Sequence, residues 1–252
     1  MKEHFVVSPN LPNSKVTLLL LSGEYPQFDR KLRQMGIRTI LTQPSENLPF
    51  PVRYHSDMQC CYLGNGRAVI AAGESELRQQ LNYFDIQTIL TESQPDKEYP
   101  RDAGCNVLQI GEHLFYNPKS ADNIILREME QNKTSMYRVS QGYSRCSVAV
   151  VNETSVITAD PGMAKVMKQA GLEVLEIQSG HIRLPGYDYG FIGGCCGLIA
   201  ADQLVFTGSL KFHPDGERIK QFLLQRSVSC VELTNEPLLD IGGLIPIKER
   251  SE

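Results

Sequence analysis

Hydrophobic and polar positions along the chain recur in a fixed order of short segments. The run Ile-Arg-Thr-Ile-Leu-Thr at residues 37–42 returns as Ile-Gln-Thr-Ile-Leu-Thr at residues 86–91, each time directly after an amphipathic segment. Before the second copy, two short apolar runs flank a Gly-Asn-Gly turn, which predicts a β-hairpin. Residues 74–83 follow with two leucines four positions apart, a spacing typical of one helical face. The pattern predicts a strand–strand–helix–strand unit.

This order of segments predicts several complete units and one that is split between the chain ends. The complete units cover approximately residues 55–92, 101–139, 142–177 and 188–233. Residues 15–42 supply a strand, a helix and a strand but lack a first strand, which the apolar run within residues 238–247 can provide. Units that cannot bury their own apolar faces must stack on their neighbours. We therefore expect a single α/β domain over residues 1–252, a five-bladed α/β-propeller of ββαβ units closed by pairing of the N- and C-terminal segments.

Charge and cysteine usage narrow the class of protein. The net charge of -4 comes without a basic cluster, so we expect no nucleic-acid partner. The seven cysteines, an odd number without a Cys-x-x-Cys pair, favour a reducing compartment, and we predict a cytoplasmic protein. The N-terminal residues lack a signal-peptide apolar segment, and the longest aliphatic run, residues 16–21, is far shorter than the roughly 20 residues of a membrane span. We expect no membrane partner.

Metal and cofactor signatures are absent from the sequence. There is no Cys-x-x-Cys, no His-Glu-x-x-His and no Lys-Ser/Thr pair after a glycine-rich turn. We therefore expect neither a metal nor a cofactor, and the sequence does not indicate an oligomeric state.

Five such units closed by both termini resemble the pentein, or guanidino-group-modifying enzyme, fold. Residues 181–194, His-Ile-Arg-Leu-Pro-Gly-Tyr-Asp-Tyr-Gly-Phe-Ile-Gly-Gly, also resemble an uncharacterised bacterial pentein-like family, and the chain is assigned to it on this resemblance. Catalytic penteins such as arginine deiminase bind a guanidinium with carboxylates, attack its central carbon with a cysteine and move protons with a histidine. The resemblance implies a hydrolase or amidinotransfer-type enzyme that acts on a small guanidino or other carbon–nitrogen compound in a central pocket.

Four polar residues are candidates for binding such a ligand. His55 and Asp57 match the His-x-Asp pattern of catalytic penteins and would share one face of a strand. Asp102 and Asn106 come from Asp-Ala-Gly-Cys-Asn, which echoes the acidic-Gly-Gly pattern that opens a second-unit strand. A carboxylate accepts two parallel N–H bonds from a guanidinium, so the expected ligand is a small molecule, with cationic ones included. The alternatives to ligand binding are that Asp57 caps the following turn, that His55 is a surface residue and that Asp102 is a turn residue bonded to its own backbone.

The segment after residue 180 supplies the remaining candidates. His181 is predicted as a general acid and base, and Tyr187 and Asp188 as part of the ligand pocket. Cys195 and Cys196 are candidate nucleophiles, but neighbours on a strand point to opposite faces, so at most one can line a site. The alternatives are that His181 faces solvent, that the aromatic residues of this loop only pack and that both cysteines are buried structural residues.

The last unit departs from the catalytic penteins. Their nucleophile follows a glycine-rich strand start, whereas residues 240–247 here read Asp-Ile-Gly-Gly-Leu-Ile-Pro-Ile and place a proline, Pro246, on or near that position. Three possibilities follow: the nucleophile has moved to Cys195, Cys196 or Cys105; a water activated by His181 and carboxylates does the work; or nothing is catalysed. The missing cysteine favours the last, a non-catalytic module that binds a small molecule or a protein.

Overall fold

A computed structural model describes residues 2–251, so residues 1 and 252 of the predicted domain lie outside the described residues. The strands are, in chain order, β1 (Glu3–Phe5), β2 (Val16–Ser22), β3 (Arg38–Thr42), β4 (Cys60–Gly64), β5 (Arg67–Ile70), β6 (Gln87–Leu90), β7 (Leu108–Ile110), β8 (His113–Tyr116), β9 (Ser135–Arg138), β10 (Val148–Asn152), β11 (Ser155–Thr158), β12 (Glu173–Glu176), β13 (Cys196–Ala200), β14 (Gln203–Phe206), β15 (Ser229–Glu232) and β16 (Ile245–Arg250). The helices are α1 (Pro26–Gln34), α2 (Ser56–Gln59), α3 (Ser75–Tyr83), α4 (Asn123–Gln131), α5 (Pro161–Gln169) and α6 (Gly216–Leu224). Between residues 2 and 251, no helix has both the length and the apolar character that crossing a membrane requires.

The fold is a mixed α/β fold of small sheets, and four of the sheets in the described chain share one strand order. These are β4-β5-β6, β7-β8-β9, β10-β11-β12 and β13-β14-β15. In each, the first two strands form an antiparallel hairpin, and the last two are parallel with a helix between them. A parallel pair needs a crossover, and the amphipathic helix supplies it with its apolar side toward the sheet. In α3, Leu77 and Leu81 are the buried residues, as their spacing predicts.

The two ends of the chain pair in a further sheet of order β1-β16-β2-β3. Strand β16 lies antiparallel to both β1 and β2, with Ile245 opposite Leu20. This strand begins and ends later than the sequence predicts, because Gly242 and Gly243 adopt left-handed φ values of 79° and 74° and form a turn. Strand β1, which the sequence pattern does not indicate, adds the outer edge of the sheet. The first strand of the split unit is therefore C-terminal, as expected from the sequence.

Five of the hydrophobic clusters among the described residues each combine residues of two sheets. The β2–β16 sheet packs on the β4–β5 hairpin. The β4–β5 hairpin also packs on β7–β8, β7–β8 on β10–β11, and β10–β11 on β13–β14. A last cluster joins β13–β14 back to β2 and α1. Successive units thus share cores, and the unit made by the chain ends shares one with each of its two neighbours.

The strands that face two clusters explain the continuous apolar runs in the sequence. In β2, Leu18 and Leu20 belong to one cluster, whereas Leu19 and Leu21 belong to another. Alternate residues of a strand point to opposite faces, so a strand that is buried on both faces needs apolar residues at every position. The aliphatic run at residues 16–21 is thus a two-sided core strand.

Tyr62 connects the first hairpin to both chain ends. Its buried hydroxyl lies 3.0 Å from the carbonyl oxygen of Val6 and 3.2 Å from that of Ile247, and it accepts a hydrogen bond from the Gly66 N–H at 3.1 Å. We predict that Tyr62→Phe lowers the free energy of unfolding by about 1–3 kcal/mol, because it leaves buried backbone groups without their partner. Denaturant unfolding measures the change.

Tyr83, which is 82 % exposed, provides the matched control. Tyr83→Phe should change the free energy of unfolding by less than about 0.5 kcal/mol. Equal effects of the two substitutions would show that the Tyr62 hydroxyl does not tie the ends to the hairpin.

Candidate functional site

A cavity of about 240 Å³ opens to solvent beside the segments that precede the first strands of several units. Aromatic and aliphatic side chains form most of its wall, and a few polar groups converge on it. The lining residues are Val52, His55, Met58, Tyr143, Cys146, Leu184, Tyr187, Asp188, Tyr189, Phe191 and Asp240. A largely apolar cavity with a small number of placed polar groups is typical of small-molecule sites.

Three chemically distinct side chains meet at the floor of this cavity. His55, Cys146 and Asp240 come from segments far apart in sequence, and each is at least 97 % buried. One ring nitrogen, the thiol sulfur and one carboxylate oxygen all lie within 4.8 Å of one another. The His55 Nδ1 is 3.8 Å from the Asp240 Oδ1. A base, a thiol and a carboxylate at this separation are the groups that nucleophilic catalysis and metal binding both use.

His55 reaches the floor from a helix start rather than from a strand. The sequence places His55 and Asp57 on one strand face, but the structure has the short helix α2, with His55 as the residue before it. Burial lowers the pKa of His55, and the nearby Asp240 carboxylate opposes that shift in part. The His55 Nδ1 has no hydrogen-bond partner. His55 is therefore a neutral imidazole with a free ring nitrogen beside Asp240.

A hydrogen bond joins the Cys146 thiol to the Asp57 carboxylate beneath the floor of the cavity. The Cys146 thiol donates to the Asp57 Oδ2 at 2.8 Å, and the Asn106 Nδ2 donates to the sulfur at 3.2 Å. Burial raises the pKa of Asp57 to about 7, although the Arg145 guanidinium opposes the shift. Burial, and then the Asp57 and Asp240 charges, raise the pKa of Cys146 well above its usual value. At neutral pH the thiol therefore holds the proton, with a carboxylate placed to receive it.

Two backbone N–H groups hold the Asp240 carboxylate in place, and a neighbouring glycine leaves the space that it occupies. Its Oδ2 accepts a hydrogen bond from the Phe191 N–H at 2.8 Å, and its Oδ1 accepts one from the Gly242 N–H at 3.0 Å. A side chain at Gly194 would collide with this carboxylate, so residue 194 must be glycine. The glycine-rich run before Cys195 thus makes room for an acidic residue of the last unit.

Asp102 and Asn106 support the cavity without lining it. Asp102 lies in a short 3₁₀ turn and accepts a hydrogen bond from the Tyr143 hydroxyl at 2.6 Å. Burial raises the pKa of Asp102, and this hydrogen bond opposes the shift. The Asn106 Oδ1 accepts hydrogen bonds from the backbone N–H groups of Arg145 and Cys146 at 2.8 and 3.2 Å. Asp102 therefore positions the Tyr143 ring of the cavity wall, and Asn106 positions the backbone that carries the Cys146 thiol.

The structure does not bring His181, Cys195 and Cys196 into the cavity. His181 is exposed, and its ring lies edge-on to the His213 ring at a centroid distance of 5.5 Å. The thiols of Cys195 and Cys196 both donate to the Ile192 carbonyl, at 3.1 and 3.2 Å, and burial raises both of their pKa values, that of Cys196 to about 12.

The expected separation of the two cysteines onto opposite strand faces is also absent. The strand begins only at Cys196, Cys195 ends a 3₁₀ turn, and both belong to one core cluster. Tyr187 and Asp188, by contrast, line the cavity mouth as exposed residues.

Sequence reasoning missed Cys146, Asp240 and Tyr143 as site residues. Cys146 precedes the first strand of its unit as other cysteines do, so nothing local distinguishes it from a core residue. The signal for Asp240 is the pair of glycines that follows it, which marks a tight turn in the last unit. Tyr143 carries no local signal of its own.

Comparisons with known proteins place the fold. A model of a family of unknown function, DUF6873, matches residues 20–245. No curated protein matches the chain in sequence. Several solved structures match it nearly end to end at 9–12 % identity, a level that compares folds only.

Three of these structures are guanidino-modifying enzymes. A Cys-to-Ser mutant of DDAH from Pseudomonas aeruginosa, in complex with citrulline, is 12 % identical over 94 % of this chain and 100 % of its own, with a TM-score of 0.57. Inosamine-phosphate amidinotransferase from Streptomyces griseus is 10 % identical over 98 % of each chain, with a TM-score of 0.61. Agmatine deiminase from C. jejuni is 9 % identical over 98 % of this chain and 97 % of its own, with a TM-score of 0.58. These enzymes have the pentein fold, and the resemblance drawn from the sequence is confirmed.

The raised pKa of Asp57 predicts a pH-dependent effect of Asp57→Asn. An aspartate in the unfolded chain titrates near about 3.9, so between about pH 4 and about pH 7 the folded state binds more protons than the unfolded state. Ionisation of Asp57 therefore destabilises the wild type as pH rises through this window, by up to about 4 kcal/mol. Relative to the wild type, Asp57→Asn should gain stability from pH 5 to pH 8, in denaturant unfolding in metal-free buffer.

Thr158→Val is the control for this comparison. Thr158 is also fully buried and hydrogen-bonded, to the Ser147 carbonyl at 2.8 Å, but it does not ionise. Its effect should be the same at both pH values. A difference between Asp57→Asn and the wild type that is equal at pH 5 and pH 8 would contradict the raised pKa.

Proposed function

The chain belongs to the DUF6873 family, and we propose that its cavity is the active site of a pentein-type enzyme acting on a small guanidino or other carbon–nitrogen compound. One observation carries the proposal: the thiol of Cys146, the imidazole of His55 and the carboxylate of Asp240 converge within 4.8 Å at the floor of a ligand-sized cavity. The similarity in fold to guanidino-modifying enzymes supports the substrate class.

Cys146 is the nucleophile in this proposal. Its proton passes to the Asp57 Oδ2, which already accepts it at 2.8 Å, and the thiolate attacks the central carbon of the guanidinium. Ammonia or an amine departs with a proton from the site and leaves an amidino group on the sulfur. His55, whose Nδ1 is free, takes a proton from a water that attacks this carbon. The carbon–sulfur bond breaks, the ureido product leaves, and the thiol regains its proton.

The walls of the cavity favour a small cationic group. The rings of Tyr143 and Phe191 lie with centroids 6.3 Å apart, and Tyr187 stands at the mouth. Aromatic faces attract cations, and the Asp188 and Asp240 carboxylates can accept N–H bonds from a guanidinium. In the solved complex of the Pseudomonas DDAH mutant the ligand is citrulline, a molecule with a ureido group. The proposal uses Cys146 and His55 in place of Cys195, Cys196 and His181 because only the former line the cavity.

Turnover of guanidino compounds tests the proposal. We predict that the full chain releases ammonia or an amine from at least one small guanidino compound in a panel, and that Cys146→Ser lowers kcat at least about 1,000-fold. Colorimetric detection of ureido product, with ammonia measured in parallel, follows the reaction.

Cys196→Ser is the matched control, since Cys196 is buried in the neighbouring core and does not line the cavity. It should retain kcat within a few-fold. Turnover that survives Cys146→Ser would overturn the assignment of the nucleophile.

A second candidate function is a non-catalytic module that binds a small molecule or a protein. The observations that favour it are the absence of a cysteine in residues 240–247 and the pKa of Cys146, which burial raises well above the usual value. A binder would show cation-dependent increases in melting temperature that persist in Cys146→Ser, with no product in the turnover assay.

We further infer that the units form a five-bladed ring in a single domain. The support is that five core clusters among the described residues each join two sheets and that one of them joins β13–β14 back to β2. A reducing, cytoplasmic location is proposed on the free state of the seven cysteines, six of which are buried.

A further inference from the structure

We propose that His55, Cys146 and Asp240 form a binding site for a thiophilic divalent cation, with zinc as the preferred ion. The sequence predicts no metal site because the three residues lie in different units and make no local ligand motif. The inference rests on these three side chains alone and stands independently of the reaction proposed above.

The separations of the three atoms fit tetrahedral coordination. Zinc bonds to nitrogen, oxygen and sulfur of about 2.0–2.3 Å hold ligand atoms roughly 3.3–3.8 Å apart. The His55 Nδ1 and the Asp240 Oδ1 are 3.8 Å apart, and no pair in the group of three exceeds 4.8 Å. Side-chain rotations that shorten the widest pair by about an ångström complete the geometry.

The chemistry of the ligand set selects among metal ions. An imidazole, a thiolate and a carboxylate together suit zinc and its substitute cobalt(II), whereas calcium and magnesium prefer oxygen ligands alone. Three protein ligands leave one coordination position, and all three residues line the cavity, which can supply a fourth ligand. Three ligands with an open fourth position are the pattern of zinc sites that exchange a water or a small ligand.

An unpartnered polar atom points to a ligand at this place. His55 is 2 % exposed, and its Nδ1 has no hydrogen-bond partner among the described residues. A buried polar atom without a partner is costly, and a cation between His55 and Asp240 would satisfy it.

The surroundings of the three ligands are also those of a metal site. The Asn106 Nδ2 donates to the Cys146 sulfur, and the backbone N–H groups of Phe191 and Gly242 donate to the Asp240 carboxylate. Such contacts limit the orientations of the ligand side chains and leave only small rotations for the ion to complete. When the ion binds, the thiol proton is lost and Cys146 becomes a ligand. Metal occupancy and covalent attack by Cys146 are therefore mutually exclusive.

Cobalt(II) titration of the metal-free full chain tests the site. We expect one ion per chain, with visible bands of a tetrahedral site and a sulfur-to-cobalt charge-transfer band in the near ultraviolet. Zinc should displace the cobalt stoichiometrically. Cys146→Ser should abolish the charge-transfer band, and His55→Gln and Asp240→Asn should each weaken binding at least about 10-fold. Cys196→Ser, a buried cysteine outside the cluster, should leave the spectrum unchanged.

Alkylation of the unmutated protein provides a second readout that does not depend on the variants folding. Mass spectrometry should show that zinc protects Cys146 from a small haloacetamide. The proposal is overturned if the wild type binds no cobalt or zinc at one equivalent, if the band survives Cys146→Ser, or if zinc leaves the alkylation of Cys146 unchanged. A protein that gives the expected cobalt spectrum but is inactive in its metal-free form would reject the proposed reaction alone, and an active protein without metal binding would reject this inference alone.

Discussion

The pairing of β16 with β2 is the constraint on which the rest of the structure depends. It places the turn before β16 against the first unit, where the Ser56 hydroxyl donates to the Gly242 carbonyl at 2.9 Å. The same turn meets the fourth unit, where the Ile241 N–H donates to the Gly194 carbonyl at 2.9 Å. Asp240, the residue just before this turn, lies at the cavity floor. The C-terminal strand therefore completes a sheet and delivers a site residue at once.

The cavity floor concentrates polar groups where burial makes them costly. Asp57 lies near a buried cation, Arg145, whose guanidinium donates to the Asn10 side chain at 3.0 Å and to the Gly193 carbonyl at 3.1 Å. Burial favours neutral forms, so the proton between Cys146 and Asp57 stays on the pair at neutral pH. Burying these groups costs the fold stability, and shifted pKa values that cluster at one place are typical of functional sites.

Local patterns predict the units of this fold, and long-range packing decides the site. The order of strands and helices, including the split unit, follows from apolar positions that recur every two residues in strands and about every 3.6 residues in helices. A short stretch of sequence is enough to show either period. Which cysteine lines the cavity depends on how units meet: Cys196 turns toward the Ile192 carbonyl, whereas Cys146 faces Asp57 across units. The position of His55 differs from the predicted strand because the helix that follows it has only four residues. Its apolar pattern is too short to distinguish a helix from a strand.

Native-state hydrogen exchange on the full chain tests the closing strand most directly. We predict that the amides of β16 bonded to β2 exchange only through the same global opening as those of β10 and β13, since all three strands belong to shared cores. Exchange of β16 through a local opening of much lower free energy, with β10 and β13 still protected, would contradict it. In that case the C-terminal segment would be an appendage, and neither Asp240 nor the cluster it completes would be a fixed part of the site.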